Sequence, residues 1–117
     1  MAAEMMNSLG KITLSDDLVA SIAGYAAVEN YGIVGMNAKK AGDTILELFG
    51  SENVKRGVKI NIVAPDTVEI DLFVTLEYGV SLPAVAENTR SNVKYRVESM
   101  TGLTVKAINI HVESIRV

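Results

Sequence analysis

Residues 83–117 read PAVAENTRSNVKYRVESMTGLTVKAINIHVESIRV, and this stretch decides the fold. With the preceding leucine, Leu82, Ala86, Thr89, Val93, Val97 and Met100 recur at steps of four and three, which places them on one stripe of a helix. The opposite face carries Glu87, Asn88, Arg90, Ser91, Lys94 and Glu98, so the helix is expected to lie on an apolar layer with its back in water. Thr101-Gly102 is the stop, because glycine takes the left-handed conformation past the last turn at no side-chain cost. LTVKAINIHVESIRV then reads as one long strand. Its apolar residues sit on odd numbers (Leu103, Val105, Ala107), then even (Ile108, Ile110, Val112), then odd again (Ile115, Val117). Two such slips, near Ala107-Ile108 and Glu113-Ser114, are what bulges or a strong bend leave in a sequence.

Working back from that stretch, Val58, Ile60, Ile62 and Ala64 alternate with polar residues, and Val68, Ile70, Leu72, Val74 and Leu76 do the same beyond Pro65-Asp66-Thr67. These two runs form a hairpin. For both apolar sets to share a face the loop must hold an odd number of residues. A three-residue loop at 65–67 pairs Ile62 with Ile70, Ile60 with Leu72 and Val58 with Val74. Thr67 is neither the Gly nor the Asn that such a loop prefers at its last position, and a five-residue loop with the same register is the alternative. Gly79 closes the second strand.

Nearer the start, Lys11-Ile12-Thr13-Leu14 is a short strand, and Ser15 caps a helix whose first turn holds Asp16 and Asp17 at the positive end of its dipole. Leu18, Val19, Ile22, Ala23, Ala26 and Ala27 are its apolar stripe, small enough at Ala23, Gly24, Ala26 and Ala27 for another backbone to approach. The helix ends before Gly32, and Ile33–Met36 is a strand candidate. Asp43 caps a possible short helix through Phe49.

The assembled order is β-α-β-β-β-α-β. It describes an α+β domain, a two-layer sandwich in which a mixed sheet carries two main helices on one face. The second hairpin strand and the last strand, joined through the long helix, should be parallel. Residues 1–9 are expected to be a flexible tail and 10–117 a single domain.

Composition narrows the chemistry. The 117 residues carry a formal charge of −3 and no Cys, and the aromatic residues are four Tyr and two Phe. A core of Val, Ile, Leu and Ala follows, and thiol chemistry and thiolate metal sites are excluded. Lys and Arg are not concentrated anywhere, which disfavours nucleic acid. The start, MAAEMMNSLG, does not resemble a secretory signal, and the longest uncharged stretch, Leu18 to Val28, is about half the length that spans a bilayer. A cytoplasmic protein is expected.

His111 is the only histidine, on the polar parity of the last strand, and reads as solvent-facing or surface-paired. Glu69, Asp71 and Glu77 share a strand face, with Lys59 diagonal to Asp71; a solvated sheet face explains them better than a carboxylate pair. Gly32-Ile33-Val34-Gly35 matches the GxxG of KH domains in letters only, since its inner residues are apolar. No triad, phosphate loop, metal set or cofactor site is assembled, and no enzyme activity is expected. The misfit is Phe73, which parity puts among Glu69, Asp71, Thr75 and Glu77. Lys59, Val63, Asp71, Phe73 and Thr75 are therefore the candidate interaction face, an aromatic centre with a polar rim.

Gly10 to Ile33 (GKITLSDDLVASIAGYAAVENYGI), Arg56 to Ile62 (RGVKINI), Val68 to Gly79 (VEIDLFVTLEYG) and Asn92 to Val112 (NVKYRVESMTGLTVKAINIHV) together resemble the alkaline shock protein family, the envelope stress response family of Gram-positive bacteria. Asn30-Tyr31 and Pro65-Asp66-Thr67 depart from the family pattern in two loops. The resemblance implies a cytoplasmic protein of envelope homeostasis without catalytic residues to transfer, in some members held beneath the membrane by a membrane-anchored partner. A self-associating or partner-binding scaffold is the expectation it supports. The alternatives are an accessory subunit for a soluble enzyme or a small ligand, and, remotely, KH-like RNA binding.

Overall fold

The computed structural model describes residues 2–36 and 56–117. Strands β1 (Ala2–Asn7) and β2 (Gly10–Ser15) pair as an antiparallel hairpin, and helix α1 (Asp16–Val28) follows directly. Then come β3 (Ile33–Met36), β4 (Val58–Ala64), β5 (Thr67–Glu77), helix α2 (Leu82–Thr101) and β6 (Thr104–Arg116). The short helix expected over Asp43–Phe49 lies outside the described residues.

β5 is the axis of a four-stranded mixed sheet. β6 runs parallel to it over residues 67–77, so one edge of β5 is fully used. β4 pairs antiparallel with 67–72 and β3 with 74–76, and these two share the other edge end to end. The even-numbered side chains of β5, Val68, Ile70, Leu72, Val74 and Leu76, are all buried against the helices. Odd-numbered ones face the open side and are half-buried. This is the expected α+β sandwich, with the expected parallel pair.

Both helices carry the signals read from the sequence. Ser15 Oγ accepts from Leu18 N at 3.1 Å, and α2 stops at Gly102 with φ +78°. Val19, Ala23, Ala26 and Ala27 are buried where α1 meets α2 and the sheet. The stripe of α2 is narrower than expected: Val85, Thr89, Val93 and Val97 are buried, whereas Leu82 and Met100 are exposed. Steps of four alone describe it, because the two ends of α2 overhang the layer beneath. Leu18, at the start of α1, is exposed as well. The Thr89 hydroxyl donates to Val85 O at 2.7 Å, which satisfies the polar atom in the middle of the stripe.

Two local expectations are corrected. The hairpin pairs Ile62 with Val68, Ile60 with Ile70 and Val58 with Leu72, two residues away from the expected register. Ala64 pairs with Thr67 across Pro65-Asp66, and the register shift at Val63 absorbs the odd residue. Parity is kept, so the same face stays buried. No non-glycine residue among those described has positive φ, so the left-handed residue that a three-residue loop wants is not found at Thr67. The expected tail at 1–9 instead contributes β1. Its Ala3 is buried, and Glu4 N donates to Pro65 O at 2.8 Å, a bond to the β4–β5 turn that no local pattern announces. The two phase slips expected in the last strand are present, the first one residue before Ala107-Ile108 and the second at Glu113, within the expected pair. The register of β6 against β5 skips Lys106 and then Glu113.

Candidate functional site: the open face of the sheet

Side chains on the open face form rows set by the registers. Lys59, Asp71 and Asn109 lie across β4, β5 and β6, as do Asn61, Glu69 and Ala107. Phe73 lies beside His111, Thr75 beside Ser114, and Glu77 beside Arg116. Opposite Phe73 on the other edge is Gly57, whose carbonyl accepts from Phe73 N at 2.8 Å.

Asp71 is the hub of this surface. Its Oδ1 accepts from Asn109 Nδ2 at 3.1 Å and faces His111 Nε2 at 3.3 Å, and its Oδ2 accepts from Asn61 Nδ2 at 3.0 Å. An ionised carboxylate only accepts, so Nε2 of His111 carries the hydrogen. Burial pushes the Asp71 carboxyl up, but the hydrogen bonds from Asn109, His111 and Asn61, with the charge of His111, outweigh it and hold the group below its ordinary value. The imidazole of His111 stacks on the Phe73 ring, centroids 4.6 Å apart and planes 11° from parallel. One strand therefore supplies an acid and an aromatic, and its neighbours supply the amides and the imidazole that lock both in place.

Of the residues expected on this face, Asp71 and Phe73 fall at its centre. Lys59 is directly opposite Asp71 rather than diagonal to it, and the partners of Asp71 are Asn61, Asn109 and His111. Thr75 is next along β5, its hydroxyl 2.7 Å from that of Ser114. Val63 is not brought near Phe73. The register places it at the far end of β5 near Thr67, six residues and about 20 Å from Phe73. The ring stacked on Phe73 is the His111 imidazole.

His111 is surface-paired, as its parity indicated. Its role at the centre, with Asn61 and Asn109, was missed. The signal was available: parallel pairing with β5 and a bulge near 106 put 109 and 111 beside 71 and 73. The Gly32–Gly35 stretch is the turn after α1 and the start of β3. Among the described residues no three His, Asp or Glu are grouped to hold a metal. A shallow hollow of about 450 Å³ is lined by Tyr31, Glu77, Tyr78 and Asn88 among others, and none of the Asp71 group lines it.

A mixed sheet with its helices on one face and an acid, two amides and a histidine–phenylalanine stack ordered on the other defines a small α+β domain. Residues 4–117 match the alkaline shock protein 23 family, described as having a cell envelope-related function, and the chain belongs to that family. It is 37% identical to the uncharacterized protein YloU of Bacillus subtilis, over all of this chain and 98% of that protein. It is 35% identical to the uncharacterized protein YqhY of the same organism, over 92% of this chain and 78% of that one. A stress response regulator gls24 homolog of Streptococcus pyogenes is 29% identical over 92% of this chain and 59% of its own length. No solved structure matches the chain.

Proposed function

We propose that the protein is a non-catalytic scaffold of envelope homeostasis that works on the cytoplasmic side of the membrane and docks a membrane-anchored protein on the open face of its sheet. One observation carries this reading: the Phe73–His111 stack, pinned by Asp71, stands on a sheet face that no element among those described covers. Such a patch has an aromatic centre, a charged rim and side chains already ordered, which lowers the entropy a partner must offset on binding. The envelope-related family favours a membrane-anchored partner. Among the described residues no helix is long and apolar enough to cross a membrane, so in this reading the link to the envelope runs through that partner.

The test is capture from a detergent-solubilised lysate of Gram-positive cells under mild crosslinking, with the parent chain and Phe73→Glu side by side. A membrane protein held by the parent and lost by the variant, with the variant's circular dichroism unchanged, is the expected result. Equal capture by both chains, or capture of a soluble enzyme or of RNA alone, overturns the proposal.

A further inference from the structure

The free edge of β6 is a second surface, separate from the open face. Phe73 N is bonded to Gly57 O and Glu77 N to Gly32 O, so odd-numbered peptide groups of β5 point to β3 and β4 and even-numbered ones to β6. In a parallel ladder the residue paired with such an even position turns its own N–H and C=O away. Ile70 pairs with Ile108, Leu72 with Ile110 and Val74 with Val112. The peptide groups of Ile108, Ile110 and Val112 therefore point out of the sheet, on a strand that has a neighbour on one side only among the described residues. Bulges at Lys106 and Glu113 blunt the two ends of this edge and leave a regular run, 107–112, between them. One outward carbonyl is touched from within: Arg90 Nε donates to Ile108 O at 3.3 Å, and the second lone pair of that oxygen stays open.

The helix layer also gives out along this strand. On the helix side of β6, relative exposure rises from 7% at Ile108 to 39% at Val112 and 47% at Ile115, and Leu82 at the start of α2 is 45% exposed. An unpaired edge beside an uncovered apolar row is a site for strand addition.

We infer that the occupant is a second copy of this chain, its β6 antiparallel to the first and centred on Ile110, so that two four-stranded sheets become one. Self-complementarity selects this partner. Centred on Ile110, the pairing sets Ile110 against its own copy and Ile108 against Val112, so every pair on the helix side is apolar. The two ends match in charge. Lys106 and Glu113 are both exposed, and neither is ion-paired among the described residues. Antiparallel pairing brings Lys106 of each chain to the Glu113–Ser114 end of the other, whereas a parallel arrangement stacks like charges. On the open face it sets His111 beside Asn109 of the second copy, joining two Asp71 clusters across the two-fold axis.

The inference is independent of docking at Phe73, and the experiment separates them. The chain has no Cys, so single cysteines report position cleanly. With oxidised glutathione, Ile110→Cys should link into a covalent dimer, because directly opposite Cα atoms in such a ladder are about 5.5 Å apart. Val112→Cys should not, since two copies of that residue are about 13 Å apart along the strands. In sedimentation equilibrium from micromolar to millimolar concentration, the parent chain should dimerise. Lys106→Glu and Glu113→Lys should each weaken the dimer by roughly twofold to fivefold, and the double exchange should restore it. A parent that stays monomeric, equal crosslinking at 110 and 112, or a double exchange no better than the single ones overturns the inference. Phe73→Glu should leave the dimer intact; if it alone abolishes the dimer, the open face is the self-contact and the β6 edge is not.

Discussion

The imidazole of His111 lies nearly flat on the phenyl ring of Phe73, with 4.6 Å between centroids, because parallel pairing of β5 and β6 makes these two residues neighbours. Each has an open-face position, and each shields one side of the other from water. A stacked pair of this kind contributes about 0.5–1.5 kcal/mol beyond the area it buries. Phe73→Ala and His111→Ala should each lower stability by about 1–2 kcal/mol in urea denaturation, and the double variant should fall short of their sum by about 0.5–1.5 kcal/mol. Strict additivity would show that the stack has no energetic coupling.

Asp71 gives stability a slope in acid. Its carboxyl is held below the ordinary value near 4, so its contribution is complete above the unfolded value and disappears as pH falls through the lower folded one. Asp71→Asn should cost about 1 kcal/mol at neutral pH, a figure kept small because the three donors are themselves partly solvated. It should also flatten the fall in stability below about pH 4. Urea midpoints taken from pH 2 to 7 for the two chains test both effects; curves that stay parallel below pH 4 rule out the role assigned to Asp71.

Gly102 is constrained twice. Its φ is +78°, and a Cβ built there would lie 2.7 Å from Cε and 3.0 Å from Sδ of Met5. Met5 is a flexible side chain that can swing aside, so the backbone term dominates. Gly102→Ala should cost about 1–2 kcal/mol in chemical denaturation. Adding Met5→Ala should recover the steric part and leave the conformational part. A Gly102→Ala chain as stable as the parent contradicts the left-handed cap.

Val97 is fully buried on the stripe that α2 turns to the core. Val97→Asp should destabilise by several kcal/mol, comparable to much of the stability of a domain this size, and abolish cooperative thermal unfolding. Met100→Asp, three residues along on the exposed overhang, should change stability by less than about 0.5 kcal/mol. The contrast checks the orientation of α2.

The misplacements share one cause. Period-two alternation fixes which face a strand buries, and it was right for every residue of β5; it is blind to sliding by two residues, which buries the same side chains. Alternation therefore allows Ile62 to match Ile70 as well as Val68, and it does not say how far along β5 Val63 falls from Phe73. Helix periodicity likewise finds a stripe without knowing where the layer beneath it ends. Hence Leu82 and Met100 joined Val93 and Val97 on paper and lie in solvent in the fold.

By itself, then, the sequence determined the two helices with their Ser15 and Gly102 caps, the buried face of β5, the parallel crossover into β6 and its two bulges, since each rests on residues close in the chain. Only the tertiary structure decided the rest. Strand β1 exists because it pairs with β2 and bonds to the Pro65 carbonyl. The Asp71–His111–Phe73 group exists because strands distant in sequence pair in one register out of several with equal local merit, and that choice belongs to the packing of the whole core.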